Sequence, residues 1–150
     1  IFFVENDEYC IEPYIKTLRD VNRVINTFQF RYRLLYKETA FEDMMALTTI
    51  EVLAPQLYQW ISNNKDSLCS TSIHSLQSLY RDKKDYRIKI CNELERLGIN
   101  VDEAIKFLTT LFPVFENDID ERNVRCISSN IRESMRVAQE IDLIHTLYLI

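Results

Sequence analysis

The chain has 150 residues, of which 47% are apolar and 27% charged, with one glycine and three prolines. A lone Gly98 cannot build a Gly-x-x-x-x-Gly-Lys phosphate loop or a Gly-x-Gly-x-x-Gly turn, which excludes self-contained nucleotide binding, and it argues against hairpin-rich β sandwiches and barrels. The 18 basic and 23 acidic side chains leave a net charge of −5, which argues against general affinity for nucleic acid or an anionic membrane.

That charge is uneven. Residues 1–12 carry −4, residues 13–37 carry +5 and residues 38–150 carry −6, so one short basic segment stands out. The sequence opens Ile1-Phe2-Phe3, not with Met, and is read as a piece of a longer protein. It shows no signal peptide, and no apolar run reaches the roughly 18 residues of a membrane span. Cys10, Cys69, Cys91 and Cys126 are far apart, with no Cys-x-x-Cys pair and only His74 and His145 to assist them. Reduced thiols in a cytoplasmic protein, with no metal site, are the reading of that spacing.

The first predicted helix spans Leu18 to Lys37. Val21, Val24, Ile25, Phe28, Tyr32, Leu35 and Tyr36 recur at spacings of three and four, which puts them on one face, while Arg19, Arg23, Asn26, Phe30, Arg33 and Lys37 fall opposite. Thr17 is its N-cap, with Asp20 completing a capping box. Thr39 to Glu42 reads as a second capping box opening a helix through Leu53, with Phe41, Met44, Met45, Leu47 and Val52 for packing. Pro55 suits the first turn of a third helix, carrying Leu57, Tyr58, Trp60 and Ile61 and ending near Asn63-Asn64. Ser70 to Ser72 is a polar break before Ile73, Leu76 and Tyr80, and the run Arg81 to Asp85 is a solvated helix face or turn. Tyr86, Ile90, Leu94 and Leu97 form a stripe that Gly98 ends as a helix C-cap. Asn100 to Glu103 caps the next helix, through Leu108, Leu111 and Phe112, and Pro113 stops it. Glu116 to Glu121 is an acidic connector that lacks the glycine and terminal glutamate spacing of an EF-hand. A last helix from Asn123 carries Ile127, Ile131, Met135, Ala138 and Ile141, followed by the apolar Leu147 to Ile150. The expected fold is therefore all-α, a bundle of about six to seven helices, with Val24, Phe28, Leu47, Trp60, Leu94 and Leu108 among its most buried residues. No internal repeat interrupts it.

A catalytic constellation is not visible. Both histidines sit beside apolar neighbours on predicted helices, and no Gly-x-Ser-x-Gly, His-Glu-x-x-His or Cys-His pairing occurs. The stretch Thr17 to Arg23 differs. Arg19 lies in the first turn of a helix, where the macrodipole is positive and a cation is disfavoured, yet an arginine beside free backbone N–H groups can receive an anion. Arg23 follows four residues later. The competing reading is a solvated basic face paired with Glu5, Asp7 or Glu8.

The run Thr17-Leu-Arg-Asp-Val-Asn-Arg-Val-Ile-Asn26 resembles the Thr-Pro-Arg-Asp-φ-Lys-Arg-φ-φ-Asn motif (φ apolar) near the end of KAP-family P-loop NTPases, with Leu18 in place of the family's proline. Phe30-Arg-Tyr32, Phe41-Glu-Asp43, Ala46-Leu47, Glu51-Val52 and Pro55-Gln-Leu-Tyr58 are similar to the helical region that follows the family's nucleotide-binding core. The resemblance covers residues 13–66, leaving 67–150 as an additional helical extension of a single helical domain or fragment. It implies a parent ATPase of the wider AAA/STAND type that uses ATP and magnesium and whose bacterial relatives include phage-exclusion proteins. By the same resemblance Arg19 is the sensor-like arginine that reaches nucleotide phosphate, supported by Arg23. The phosphate loop and the Walker acidic residue lie outside this chain, which is then not catalytic by itself and has the missing core, and an unknown effector, as partners. A different reading makes the chain a non-enzymatic helical interaction module, with Phe30, Arg33 and Lys37 as its surface for an acidic partner. Nucleic-acid binding through the same helix has the Arg/Phe pattern in its favour and the total charge against it.

Overall fold

The computed structural model describes residues 10–69, 83–112 and 127–147, and the fold is an all-α helical bundle. A single 3-10 turn, Glu12–Tyr14, precedes six α-helices among the described residues: α1 (Leu18–Leu35), α2 (Phe41–Leu53), α3 (Pro55–Cys69), α4 (Lys83–Arg96), α5 (Val101–Leu111) and α6 (Ile127–Leu147). The break at Ser70–Ser72, the stripe residues Ile73, Leu76 and Tyr80, Arg81, His74, Pro113, the acidic connector, the Asn123 start, Cys126 and the tail 148–150 lie outside the described residues. So do the side chains of residues 83–86, Tyr86 among them, and those of Ile127 and Ile131. Among the described residues, no helix is long and apolar enough to cross a membrane.

The bundle is organised around α2. Met44, Ala46, Leu47, Thr48, Thr49 and Ile50 are all buried, so this helix is covered on every side, as a central helix must be. Helix α1 runs antiparallel along it, burying Val24, Phe28, Arg31 and Leu35 at spacings of four, three and four. Aromatic rings pack towards the connected end of this pair: Phe28 stacks on Tyr32 at 5.1 Å, and the Phe41 ring meets both edge-on. Tyr36, expected on the buried face, is 52% exposed. The helix stops at Leu35, two residues earlier than the pattern predicts, and Tyr36 is its C-cap.

The predicted capping box at the start of α2 does not form. Ala40 is the N-cap, and the Thr39 hydroxyl donates back to the Leu35 carbonyl at 2.9 Å, so it belongs to the end of α1. Only Ala54 separates α2 from α3, whose first turn begins with Pro55 as predicted. Helix α3 continues five residues past Asn64. The side chains of Ser62 and Asn64 bond the carbonyls four residues back, which lets polar residues sit inside the helix. Burial of Leu68 and Cys69 then holds the extra turn in place.

Helices α4 and α5 form a second hairpin. Ile90 and Leu94 are buried, whereas Leu97 is 40% exposed because it falls beyond the last turn. Gly98 takes φ +73°, with its N–H bonded to the Glu95 carbonyl and the Ile99 N–H bonded to that of Leu94. That is a Schellman ending, and only glycine enters this backbone region without strain. Asn100 then accepts the Glu103 N–H at 3.2 Å and restarts the helix. The hairpin meets the rest of the bundle where Trp60 Nε1 donates to Glu93 at 3.2 Å.

Helix α6 packs against α3 and α2 through Val137, Ile141 and Ile144. Met135, predicted in that stripe, is 42% exposed. At about 100° per residue it lies about 120° from Ile141, so a run of four-residue steps drifts off the buried face. The six residues expected to be most buried, Val24, Phe28, Leu47, Trp60, Leu94 and Leu108, are all 6% exposed or less. Burial pushes the Cys69 thiol up to about 12, aided by the charge of Asp66, which makes it a poor nucleophile.

Candidate functional site

The start of α1 is built by two residues. Thr17 has the extended backbone of an N-cap, and its hydroxyl accepts the Asp20 N–H at 3.1 Å. The Asp20 carboxylate reaches back to accept the N–H groups of Lys16 at 3.1 Å and Thr17 at 3.0 Å. The predicted capping box is therefore complete. The Lys16 N–H holds the Asp20 carboxyl below the usual carboxylate range, with the hydroxyl and N–H of Thr17 and the charge of Arg23 adding to it.

This arrangement changes the chemistry available to an anion. A carboxylate already lies at the positive end of the helix, where it accepts the N–H groups of Lys16 and Thr17 just before the first turn. Phosphate approaching here meets the Arg19 guanidinium, which is exposed in the first turn, with the negative Asp20 carboxylate beside it. Arg23 does not join it at the helix start. Its Nη2 lies 3.4 Å from the Val52 carbonyl, where it serves the C-terminal end of α2, the negative pole of that helix dipole. Among the described residues, Arg19 has no ion pair or hydrogen-bonding partner for its side chain.

Further along α1, Phe30 is 67% exposed and Leu34 56% exposed, on the same side as the exposed Arg33 and Lys37. Lys37 Nζ lies 5.8 Å from the centre of the Tyr36 ring. Phe30 also borders a shallow groove of about 380 Å³ with Asn26, Thr27, Arg31 and Leu147, so α1 and the end of α6 share its walls. The outer face of α1 thus brings together Phe30, Arg33 and Lys37, while Arg19 and its cap lie more than two turns away.

Two polar groupings escaped the sequence pattern. Arg31 is 2% exposed, forms an ion pair with Glu51 and directs Nη1 to the Thr48 hydroxyl at 3.4 Å, so a cation occupies a place on the buried face of α1. Its spacing from Phe28 and Leu35 was the available signal. At the other end of α2, buried Asp43 and Glu140 meet Arg136 of α6. The i,i+4 spacing of Arg136 and Glu140 is visible in the sequence, but their neighbour Asp43 is 93 residues away from Arg136. Among the described residues, no three His, Cys, Asp or Glu side chains gather as they would to hold a metal ion.

Compared with known proteins, the chain matches no family model, no curated protein and no solved structure.

Proposed function

We propose that this chain is the C-terminal helical region of a KAP-like P-loop ATPase, which senses nucleotide bound to a core outside the chain and passes that state to a partner or effector, in a cytoplasmic setting such as bacterial phage defence. The observation that carries the reading is Arg19: an exposed arginine on the first turn of a helix whose start is locked by a capping box. The capping box fixes the backbone from which Arg19 leaves, and its exposed guanidinium is available to phosphate oxygens delivered by another surface. Arg19 fits the phosphate part of ATP. Magnesium fits less well here, since Asp20 is committed to the cap, and so the metal belongs with the core. Arg23 supports the site indirectly by tying α1 to the end of α2.

The test is turnover in the intact parent. The isolated chain should bind ATP no better than millimolar, about 4 kcal/mol. In the parent, Arg19→Ala should leave folding intact and lower hydrolysis by about tenfold or more, as loss of an electrostatic stabiliser of phosphoryl transfer does. Arg33→Ala, about 21 Å further along a helix that rises about 1.5 Å per residue, should do much less. Equal turnover for wild type and Arg19→Ala ends the sensor reading. The exposed Phe30 beside the groove supports a second reading, a helical interaction module without nucleotide chemistry. That reading gains if the gene upstream encodes no phosphate loop.

A further inference from the structure

Two carboxyl groups and one guanidinium meet where α6 crosses the start of α2. Asp43 is 1% exposed and Glu140 is 0% exposed. Glu140 Oε1 accepts the Ala40 N–H at 3.0 Å, and Arg136 Nε donates to Asp43 Oδ2 at 2.9 Å while standing 4.0 Å from Glu140 Oε1. The Arg136 side chain is half-exposed. Among the described residues, the cation nearest Glu140 is this half-exposed Arg136, 4.0 Å away, and a second buried carboxyl, that of Asp43, lies against it. Glu140 Oε2 is also buried and, among the described residues, meets no donor. The Asp43 carboxyl is a hydrogen-bonding neighbour of the Glu140 side chain, and it can only accept when ionised. A single proton between the two carboxyls removes one charge and supplies the donor that their contact otherwise lacks.

We propose that Asp43, Glu140 and Arg136 form a proton-held latch, which fixes α6 to the start of α2 while the two carboxyls share one proton and loosens α6 when that proton leaves.

Among the described residues, the groups facing Glu140 are Asp43 and the Ala40 N–H from α2 and its cap, and Arg136 from α6 itself. Among the described residues, α6 also meets α3, where Lys65 pairs with Asp142 and the Ser62 hydroxyl lies beside His145. Burial, with the Asp43 charge added, outweighs the Ala40 N–H and Arg136 and pushes Glu140 up to about 8. When α6 is detached, Glu140 regains its ordinary value near 4.5. The docked state therefore binds the proton more tightly. Release gains about tenfold per pH unit across the interval between those values and levels off on either side. The latch has a structural consequence elsewhere, because α6 ends in Leu147, a wall of the groove beside Phe30. It stands on this geometry alone and is independent of the nucleotide reading.

The experiment uses the 150-residue chain with its glutamate carboxyls labelled for NMR, together with amide exchange along α6 corrected for the intrinsic pH effect. One carboxyl should titrate near pH 8, disappear in Glu140→Gln, and move down towards the ordinary range in Asp43→Asn, where an amide donor replaces the shared proton. Opening of α6 should rise about tenfold per unit from pH 6 to 8 in the wild type and stay flat in Glu140→Gln. A Glu140 midpoint near 4.5 in the folded chain, or an unchanged pH response in Glu140→Gln, overturns the latch. Should Glu140→Gln fail to fold, an unshifted midpoint in Asp43→Asn overturns it equally.

Discussion

Helices α1 and α2 begin 23 residues apart and satisfy their first backbone donors by different means. At Leu18 the donors of Lys16, Thr17 and Asp20 are met by Thr17 and Asp20, all within five residues of chain. At Phe41 the Ala40 donor is met by Glu140, a hundred residues further on. The first start can form as soon as its own turn does. The second exists only when α6 has come home, and so the central helix of the bundle takes its boundary from the last one. A locally capped helix also remains available to an outside partner, whereas a helix capped by tertiary contact reports on the state of the fold.

The sharpest way to break this contrast is to remove the distant acceptor. Glu140→Ala leaves the Ala40 N–H without a partner and opens a hole against α2, and should cost about 2–4 kcal/mol in chemical denaturation. Thr17→Ala removes only the local cap and should cost about 1 kcal/mol. The pH response separates the two starts further. Asp20 is held below its ordinary value, so its contribution is present at neutral pH and is lost in acid; that of Glu140 is full in acid and is lost as pH rises towards about 8. Residue-resolved amide protection should therefore fall in α1 on acidification below the ordinary carboxylate range, and in α2 as pH rises towards about 8. Arg23→Ala is the smallest change: loss of one long contact to the Val52 carbonyl on an exposed side chain should cost about 0.5 kcal/mol, read as a shift in the same denaturation curve. A cost above that of Thr17→Ala would show that the end of α2 matters more than the start of α1.

What the sequence discloses follows the same division. The Thr17 box, the Asn100 cap and the Gly98 ending are short-range patterns, and each forms where its residues predict. Hydrophobic period likewise located Val24, Phe28, Leu47, Trp60, Leu94 and Leu108. The errors lie where distant contact decides. Thr39 and Glu42 have the spacing of a box, but the place is governed by Glu140, and α3 outruns Asn64 because the core receives Leu68 and Cys69. For the candidate site, the Thr17–Asp20 cap and the exposure of Arg19, Phe30, Arg33 and Lys37 were legible. The separation of Arg23 from Arg19 was not, since a helical wheel shows which face a side chain leaves from but not the carbonyl it finds. Buried Arg31, Asp43 and Glu140 were hidden for a similar reason: a charge on an apolar face is accounted for only when its partner on another helix is known.

Trp60 is the chain's single tryptophan, buried in α3 with its indole N–H bonded to the Glu93 carboxylate of α4. Tryptophan emission from this protein is accordingly a one-point optical readout of the junction between α3 and α4. It will report when the second hairpin parts from the bundle, turning red as water reaches the ring, and it will say little about α1 or α6, whose movements need a dye placed on those helices.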